Sequence, residues 1–558
     1  MTPETSERRA GAPPAQALDA LVAGARRRLA RRGRGQLARL LVGAGGCCQA
    51  VGAAEVAEAV RREVAAQGAP VAVVEAGCTG MCHADVQVTL QRQGQPDVTW
   101  DRVEPRRSAT LLEIAVGRRP PASLASAFCW AAEPADALPG IAQVPFLAGQ
   151  RRVLLEPTGR VDPVDVDEAL CRGVYRGLAH TLALAPEAVI EAIQRAGLSG
   201  RGGAYFPTAV KWMACRQAGR PPRYLVVNAE EGEPGVFKDR HLLEGDPHRV
   251  IEGLLIAAYT LGAEQVFVYV NGLAPVARAR VAAALRQAEA RGLAGVGILG
   301  SNFSCRVQVR EGAGGYVLGE ETVLLESLEG RRAMPRLRPP QAVEVGLWGQ
   351  PTTINNVETL ANVPLILERG ADWFAGLGMP HGPGTKLVAV SGDVARPGLV
   401  EVPLGTPLRH VLVDLAGGVP EGRALQAVLT GGPSGNLVPR DLLDAPLAPG
   451  HPEVLLGSGN LVALDETRSL LEVVRRLTRF NAEESCGKCT PCREGVNRMW
   501  EILERVAGGG ARATDRENLG YLGDVAAAAS ICGLGKMAPN PVHSALRHFT
   551  LPGLRPEG

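Results

Sequence analysis

Four cysteines in the last part of the chain have the spacing of metal ligands. Cys486, Cys489 and Cys492 form a Cys-x2-Cys-x2-Cys run, and Cys532 follows further along. Thiolates at such intervals on a tight loop can face one metal centre, and a fourth from elsewhere closes the cage of a cubane iron–sulfur cluster. Zinc also accepts four thiolates, although its sites more often use two separated Cys-x2-Cys pairs. The pattern therefore predicts a [4Fe–4S] cluster, with structural zinc and buried thiols as the alternatives.

A glycine-rich segment, Gly197–Thr208, precedes a predicted helix that contains Lys211. Glycines let the backbone approach a ligand closely, and the N–H groups at a helix N-terminus bind phosphate, as does a lysine. The segment does not match the fingerprint G-x-G-x-x-G, because Tyr205 stands at the third glycine, and it does not match Walker A. By itself it predicts either a phosphate-binding loop or a plain tight turn before a helix.

Three further segments place carboxylates and amides where a bound nucleotide would need them. Asn228–Gly235 follows a predicted strand and is rich in acids, Gly312–Thr322 joins a glycine loop to two adjacent acids, and Pro351–Glu358 carries amides and hydroxyls. Loops at strand ends are where α/β folds place ligand contacts. Such groups suit sugar and ribityl hydroxyls, although either acidic segment alone fits a solvated loop. A phosphate loop beside an iron–sulfur site also leaves a non-flavin interpretation open.

The elements that must position these residues alternate between helix and strand. Helical spacing of apolar residues marks Ala53–Gln67 and Val250–Leu261, and short apolar runs predict strands at Val71–Glu75, Tyr224–Val227 and Gln265–Val270. We therefore predict an α/β multidomain fold. Its predicted parts are a tail or helix at 1–37, a small α/β unit at 38–118, a linker at 119–149, a larger α/β domain at 150–385, a tighter β-rich unit at 386–465 and a helical bundle at 466–558.

The composition excludes several classes of protein. The 558 residues allow three or four domains of about 100–200 residues each. Lys+Arg is 60 against Asp+Glu 58, and this balance gives no reason to expect nucleic acid or an acidic membrane as partner. We expect no membrane span and, since no apolar signal core is present, a cytoplasmic location. The 12 cysteines then point to metal or redox chemistry rather than to disulfides.

Five segments, in this order, resemble the flavoprotein subunit of NADH dehydrogenases. That family includes the FMN subunit of respiratory complex I, the diaphorase subunit of NAD-reducing hydrogenases and the beta subunit of soluble NAD-dependent formate dehydrogenases. The resemblance covers residues 145–550 and implies a Rossmann-like FMN/NAD(H) domain, a β-grasp domain of the soluble-ligand-binding type and a C-terminal helical bundle with a [4Fe–4S] cluster. The matching segments are Gly200–Thr208, Asn228–Arg240, Gly319–Glu321, Gly349–Glu358 and Glu484–Gly495.

The resemblance also implies roles for single residues. Phe206 would stack on the nicotinamide nucleotide, and Glu233 and Glu321 would receive its hydroxyls. The four cysteines of the C-terminal pattern would hold the cluster. Because a flavin exchanges hydride with a nicotinamide and single electrons with a cluster, no catalytic acid or base is expected. The full set placed around FMN and NAD(H) is Gly200, Gly202, Gly203, Phe206, Lys211, Asn228, Glu230, Glu231, Glu233, Tyr316, Gly319, Glu320, Glu321, Asn355 and Asn356.

Four positions depart from the family pattern. Glu230 stands where complex I members usually have aspartate, and Tyr205 where a small residue is usual. Ala214 and Gln341 stand where aromatic residues usually help to grip the nucleotide. We still expect NAD(H) rather than NADP(H), because the two pocket acids assigned to the nucleotide would repel a 2′-phosphate.

Residues 38–118 resemble the thioredoxin-like [2Fe–2S] module of a small partner subunit of complex I. The second half of the module's four-cysteine pattern is present. In the first half two cysteines are adjacent, and Gly52 or Ala53 stands at the expected second position. Two interpretations stay open, an unusual [2Fe–2S] cluster or a docking domain that has lost its cluster. The cysteines concerned are Cys47, Cys48, Cys78 and Cys82.

The fused N-terminal module is similar to the formate dehydrogenase and hydrogenase branch of the family. We therefore expect electron transfer between NAD(H) and a [4Fe–4S] cluster through FMN, in the diaphorase subunit of a soluble formate dehydrogenase-type complex. The alternatives are a flavoprotein subunit of complex I or of an NAD-linked hydrogenase, and a non-catalytic scaffold. No cysteine group follows Cys532, so we expect electrons to continue into an iron–sulfur subunit of the thioredoxin-like [2Fe–2S] type and a catalytic dehydrogenase subunit.

Overall fold

A computed structural model describes residues 13–219, 221–420 and 422–554. Its first part, which we call the N-terminal unit, is a five-stranded sheet in the order β2-β1-β3-β4-β5, with β1 parallel to β2 and antiparallel to β3. The predicted helix Ala53–Gln67 is present with the predicted bounds and ends at Gly68, whose φ of 58° suits a glycine C-cap. The elements are α1 (Pro14–Arg32), β1 (Ala38–Gly43), α2 (Gly46–Gln49), α3 (Ala53–Gln67), β2 (Val71–Ala76), β3 (Val88–Gln91), β4 (Val98–Trp100), α4 (Ser108–Ala115) and β5 (Ala127–Cys129).

The segment 119–149, predicted as a linker, contains a strand of the N-terminal unit. Strand β5 lies inside that range and pairs antiparallel with β4, so it completes the sheet of the N-terminal unit. Phe128 on β5 is buried. A strand of three residues is too short to show the alternation on which a sequence-based strand prediction depends, and for this reason it was missed.

The central unit carries a four-stranded sheet in the order β8-β7-β6-β9, in which every pair is parallel. All carboxyl ends of these strands therefore meet at one edge. Strands β6 and β7 are almost continuously buried because helices cover both faces of a parallel sheet. The elements are α5 (Pro145–Ala148), α6 (Val166–Cys171), α7 (Arg176–Thr181), α8 (Pro186–Ala196), α9 (Thr208–Gln217), β6 (Tyr224–Ala229), α10 (Lys238–Gly245), α11 (Pro247–Leu261), β7 (Gln265–Asn271), α12 (Pro275–Ala290), β8 (Arg306–Gly312), α13 (Glu321–Leu328), β9 (Thr352–Asn356), α14 (Val357–Arg369) and α15 (Ala371–Ala375).

Helix α1 lies on the central unit. The apolar residues Leu18, Val22 and Ala25 join the core of that unit. On its polar side Arg28 Nη2 lies 2.7 Å from Asp167 Oδ1, and an arginine one turn later pairs with Asp165. The predicted tail or helix at the start of the chain is therefore a packed helix over its described residues.

The third unit is a mixed five-stranded sheet in the order β13-β12-β16-β14-β15, in which only the β12–β16 pair is parallel. Residues of the helical segment His410–Leu415 are buried in its core. The elements are β10 (Gly378–Met379), β11 (Gly382–Pro383), β12 (Thr385–Gly392), β13 (Gly398–Pro403), β14 (Leu425–Thr430), β15 (Asn436–Pro439) and β16 (Asn460–Asp465).

Buried charges join the central unit to the third unit. Lys238 Nζ lies 2.7 Å from Asp239 Oδ1 and 3.1 Å from Glu358 Oε2. Lys386 on β12 reaches the same Glu358 oxygen at 2.5 Å. Buried ion pairs of this kind need both partners, because a charge left alone in the interior is strongly unfavourable. The two units are therefore held in one relative position.

The remaining described residues form a group of helices. The amphipathic α16 and α17 pack their apolar sides into a shared core with strands β14 and β15. The helix Asn497–Ala507 is preceded by a π-helical segment, Pro491–Val496, which carries Cys492. In the part of the chain described here, no helix combines the length and apolar character that crossing a bilayer requires. The helices are α16 (Leu470–Glu483), α17 (Asn497–Ala507), α18 (Asp515–Ala529), α19 (Gly533–Met537) and α20 (Asn540–His548).

Candidate functional site

A cavity of about 980 Å³ opens where the parallel strands of the central unit end. This volume is at the upper end of the range for cofactor sites, about 300–1,000 Å³. Its walls come from the glycine-rich loop, the start of α9, the ends of β6 and β9, and the loop before α13. The predicted residues that line it are Gly200, Gly202, Phe206, Lys211, Asn228, Gly319, Glu320, Glu321, Asn355 and Asn356.

The glycine-rich loop is held from behind so that its backbone faces the cavity. The buried Arg201 guanidinium donates to the carbonyl oxygens of Pro383 at 2.6 Å and Thr385 at 3.2 Å, both in the third unit. A side chain at Gly202 would meet Asn356, since an added Cβ lies only 3.1 Å from the Asn356 Cβ. Phe206 is 49% exposed, which is unusual for a large apolar ring and suits a stacking surface at the cavity mouth.

Hydrogen bonds fix the polar side chains around the cavity. Lys211 Nζ forms an ion pair with Glu321 and donates to the Ile354 carbonyl oxygen at 3.1 Å. The indole of Trp212, next on α9, donates to Asn355 Oδ1 at 2.9 Å. The lysine charge is therefore held in the cavity wall beside the first turns of α9, where N–H groups and a cation favour a phosphate.

Glu230 lies beside the cavity with a buried carboxylate that has no hydrogen-bond partner at either oxygen. Burial raises its pKa to about 7. A side chain at Gly312 would place its Cβ 2.1 Å from Glu230 Oε2, so glycine is required there. An unpartnered buried carboxylate next to a cavity is suited to receive ligand hydroxyls.

Five of the predicted residues do not line this cavity. Glu231 accepts hydrogen bonds from the backbone N–H groups of Asp239 and Arg240, at 2.8 and 3.0 Å, and so holds the start of α10. Glu233 accepts a hydrogen bond from Ser458 of the third unit at 2.6 Å, and burial raises its pKa to about 7. Neighbouring acids on a turning loop point in different directions, which their spacing in sequence does not reveal. The residues outside the cavity wall are Gly203, Glu230, Glu231, Glu233 and Tyr316.

Glu320 lines the cavity and also has a local structural task. Its carboxylate accepts hydrogen bonds from Thr322 N at 2.8 Å and Val323 N at 2.9 Å and caps α13. Arg338, which the sequence analysis missed, pairs with Glu320 and lines the same wall. It lies in a proline-rich loop with no periodic pattern, and nothing in its local sequence marks it as a site residue.

The four C-terminal cysteines lie together in the structure. Cys486, Cys489, Cys492 and Cys532 line one small cavity together with Lys488 and Val317. Gly533, the residue after Cys532, belongs to the wall of the large cavity. The segment from Val317 to Glu321 likewise borders the cysteine site at one end and the large cavity at the other. The two sites therefore share a wall.

The N-terminal cysteines form a second group. The sulfur atoms of Cys47, Cys48 and Cys78 and a carboxylate oxygen of Asp85 all lie within 4.8 Å of one another. Cys82 contacts Cys47 and Cys78 but is not part of this closest set. The structure thus brings all four predicted cysteines into contact, with Cys82 outside the closest set, and adds an acid that their spacing did not indicate.

A parallel α/β unit whose ligand cavity adjoins a four-cysteine centre defines a flavin- and iron–sulfur-binding oxidoreductase. Residues 193–365 match the Nuo51 FMN-binding domain, residues 387–436 the SLBB domain, and residues 472–551 the iron–sulfur binding region of NADH-ubiquinone oxidoreductase-F. The chain belongs to the family of F-type flavoprotein subunits of NADH-quinone oxidoreductases. The predictions of FMN, of a [4Fe–4S] cluster and of an NADH dehydrogenase-type enzyme are confirmed.

Similar proteins come from both quinone-reducing and hydrogen-oxidising systems. The chain is 44% identical to the F 2 subunit of the NADH-quinone oxidoreductase of Rhizobium meliloti, over 68% of this chain and 90% of the relative. It is 41% identical to the NADP-reducing hydrogenase subunit HndC of Solidesulfovibrio fructosivorans, over 72% of this chain and 82% of the relative. A solved structure of an air-oxidized NAD+-reducing [NiFe]-hydrogenase matches with TM-score 0.66 and 31% identity, over 99% of this chain and 96% of that one.

The residues of the large cavity fit FMN. The lack of a side chain at Gly202 leaves space beside the glycine-rich loop, and the lysine near the start of α9 can bind a phosphate. The unpartnered oxygens of Glu230 can meet hydroxyls, and Asn228, which lines the cavity, donates to the Gly319 carbonyl oxygen at 3.0 Å and so holds the wall there. The cavity is also large enough for a flavin together with part of a second nucleotide.

Proposed function

We propose that this chain transfers electrons between NAD(H) and its [4Fe–4S] cluster as the diaphorase subunit of a larger NAD-linked dehydrogenase complex. The observation that carries the proposal is the wall shared by the large cavity and the four-cysteine site, in which Gly533 faces one and Cys532 the other. A bound flavin supplies the step between two-electron hydride exchange and one-electron transfer. The chain supplies position, because electron transfer falls off steeply with distance.

In this proposal the cavity residues bind and orient. Lys211 and the start of α9 hold the flavin phosphate, Glu230 receives hydroxyls, and Asn228 holds the cavity wall. Phe206 offers its exposed ring to the nicotinamide nucleotide. Glu321 holds Lys211 in place through their ion pair and faces the nucleotide side. Glu231 has no part in binding, because its carboxylate is used by the start of α10.

We further propose that the nucleotide is NAD(H). The charged residues of the cavity wall are three acids, Glu320, Glu321 and Glu344, and two bases, Lys211 and Arg338. A 2′-phosphate would add negative charge to a wall in which acids already outnumber bases. The test is the rate of flavin bleaching by equal concentrations of NADH and NADPH under anaerobic conditions, and faster bleaching by NADPH would refute the assignment.

The proposed complex is of the formate dehydrogenase or hydrogenase type, located in the cytoplasm. Two observations support this branch over complex I. The chain carries the N-terminal unit, and it aligns over nearly its whole length with a chain of an NAD+-reducing hydrogenase. The proposed partners are an iron–sulfur subunit of the thioredoxin-like [2Fe–2S] type and a catalytic dehydrogenase subunit. All twelve cysteines are free in the structure, as a reducing compartment requires.

One experiment separates the alternatives. The native complex is purified anaerobically, its subunits are identified by mass, and formate, hydrogen and NADH are tested as reductants of the flavin and the cluster. Reduction by formate identifies the formate dehydrogenase type, and reduction by hydrogen the hydrogenase type. If NADH leaves the bound flavin oxidised, the chain is a scaffold and the proposed function is wrong.

A further inference from the structure

The N-terminal cysteine group has a geometry different from that expected of a two-iron cluster. The sulfur atoms of Cys47, Cys48 and Cys78 and an oxygen of Asp85 are within 4.8 Å of one another. Four ligands around one tetrahedral ion, with Zn–S of about 2.3 Å, are about 3.8 Å apart. A two-iron cluster instead divides its ligands into two pairs on opposite sides of the bridging sulfides. The close set therefore fits one ion better than two.

The C-terminal cysteines provide a comparison within the same chain. They converge on one small cavity, as a cubane requires, yet they do not meet the close separation of the N-terminal set. Among the described residues, the N-terminal set is the one group of three or more such ligand atoms that does. The ligand atoms of the N-terminal set are thus as close together as those around a single ion, whereas the C-terminal sulfurs are spread more widely, as around a polynuclear cluster.

The acid of the N-terminal set has no cationic side chain as partner. Asp85 Oδ1 lies 3.7 Å from Cys78 Sγ, and in the described part of the chain no lysine, arginine or histidine pairs with this carboxylate. Cys48 and Cys78 are buried. Without a metal, the Cys78 thiol donates a hydrogen bond to this carboxylate; a divalent ion in the same place would bind the carboxylate and the three sulfurs as thiolates.

The backbone around the ligands is fixed from the central unit. Arg280 on α12 donates to the carbonyl oxygens of Ala44 and Ala76, at 3.1 Å each, and these residues begin the two loops that carry the cysteines. The backbone N–H of Gly46 donates to Glu244 Oε2 on α10 at 2.9 Å. The ligand loops are therefore positioned at the junction between the N-terminal and central units, where a metal ion would join the two loops to each other.

We propose that Cys47, Cys48, Cys78 and Asp85 hold a single tetrahedral divalent ion of the zinc type, which joins the ligand loops of the N-terminal unit to each other at the junction with the central unit. Cys82 borders the site without ligating. The ligand set differs from the four cysteines expected for a [2Fe–2S] cluster, since an acid takes the place of Cys82. Zinc accepts thiolate and carboxylate ligands together, and it has no redox chemistry. The site is structural and lies outside the electron path.

Metal analysis of the full chain with its cofactors tests the proposal. We expect about one zinc per chain beside about four iron and four acid-labile sulfide from the [4Fe–4S] cluster. Zinc-edge X-ray absorption should give three sulfurs at about 2.3 Å and one oxygen at about 2.0–2.2 Å. About six iron and six sulfide without zinc would overturn the proposal in favour of a two-iron cluster, and four iron without zinc would overturn it in favour of packed thiols.

Three variants sharpen the test. Cys48→Ser should lower the zinc content at least tenfold, whereas the matched control Cys82→Ser should keep it. Asp85→Cys should keep zinc and change its shell to four sulfurs, and because this variant removes no thiolate it remains informative if Cys48→Ser fails to fold. Loss of zinc in Cys82→Ser, or an unchanged shell in Asp85→Cys, would refute the ligand set.

Discussion

Replacing Glu230 by glutamine should stabilise the flavin-free chain and at the same time weaken flavin binding. The Glu230 carboxylate is buried without a hydrogen-bond partner, and burial raises its pKa from 4.5 to about 7. A carboxyl group whose pKa is higher in the folded than in the unfolded chain opposes folding when it ionises. The loss of folding stability caused by ionised Glu230 is therefore absent below about pH 4.5, grows up to about pH 7 and is constant above that.

The size of this loss of stability follows from the rise in the pKa of Glu230. At about 1.36 kcal/mol for each pH unit, the ionised side chain costs at most about 3 kcal/mol. Solvent access lowers this figure, and a buried glutamine amide without partners keeps about 1 kcal/mol of penalty. We expect Glu230→Gln to gain about 1–2 kcal/mol at pH 8, or roughly 2–6 °C in melting temperature, and to gain nothing at pH 5.

The assay combines calorimetry of the flavin-free chain at pH 5 and pH 8 with fluorescence titration of FMN. Hydrogen bonds to a charged group contribute about 1.5–3 kcal/mol, so FMN should bind about 10- to 100-fold more weakly to Glu230→Gln. The exposed Glu483 on α16 provides the control, and Glu483→Gln should change stability by less than about 0.5 kcal/mol at either pH. An equal shift at both pH values, or unchanged FMN affinity, would refute the assignment of Glu230.

Three other changes give separate tests. Gly312→Ala should reduce the FMN content of the purified chain and lower its stability by about 1–3 kcal/mol through overpacking. The control Gly520→Ala, with nothing within 4 Å of the added carbon, should be neutral or stabilising. Equal FMN content in both variants would contradict the close packing. Cys489→Ser should lose the [4Fe–4S] signal in EPR after reduction while FMN is retained, and an unchanged spectrum would contradict the ligand assignment. Lys238→Met should destabilise the chain by about 3–5 kcal/mol in urea titration, because it leaves Asp239 buried without its cation and Glu358 with Lys386 alone, and the exposed Lys536→Met should not; similar midpoints would show that the buried pairs contribute little.

Elements with a strong local pattern could be predicted from the sequence. Helix α3 has its predicted bounds, and β6 and β7 begin at the predicted residue, because burial on one or both sides leaves a clear apolar period. The three-residue strand β5 was missed because a strand that short carries no period.

The candidate site was predictable where chemistry depends on residue type and spacing, as in the Cys486–Cys492 run. It was not predictable where the direction in which a side chain points decides its role. Glu230 and Glu231 are neighbours, yet one carboxylate is unpartnered beside the cavity and the other holds the start of a helix. Asp85 joins three cysteines only through the fold, and no spacing rule connects it with them.

The position of α1 has a consequence for how the whole chain can work. This helix precedes the sheet of the N-terminal unit in sequence, but it packs on the central unit. The last strand of that sheet, β5, is followed in sequence by the central unit. The N-terminal unit is thus tethered at both of its ends. If the contacts at one end open, the other holds the unit at a high effective concentration, and rebinding is faster than escape. A separate subunit in this place could exchange with others in the cell, whereas this fused one stays with the same flavin for the lifetime of the molecule.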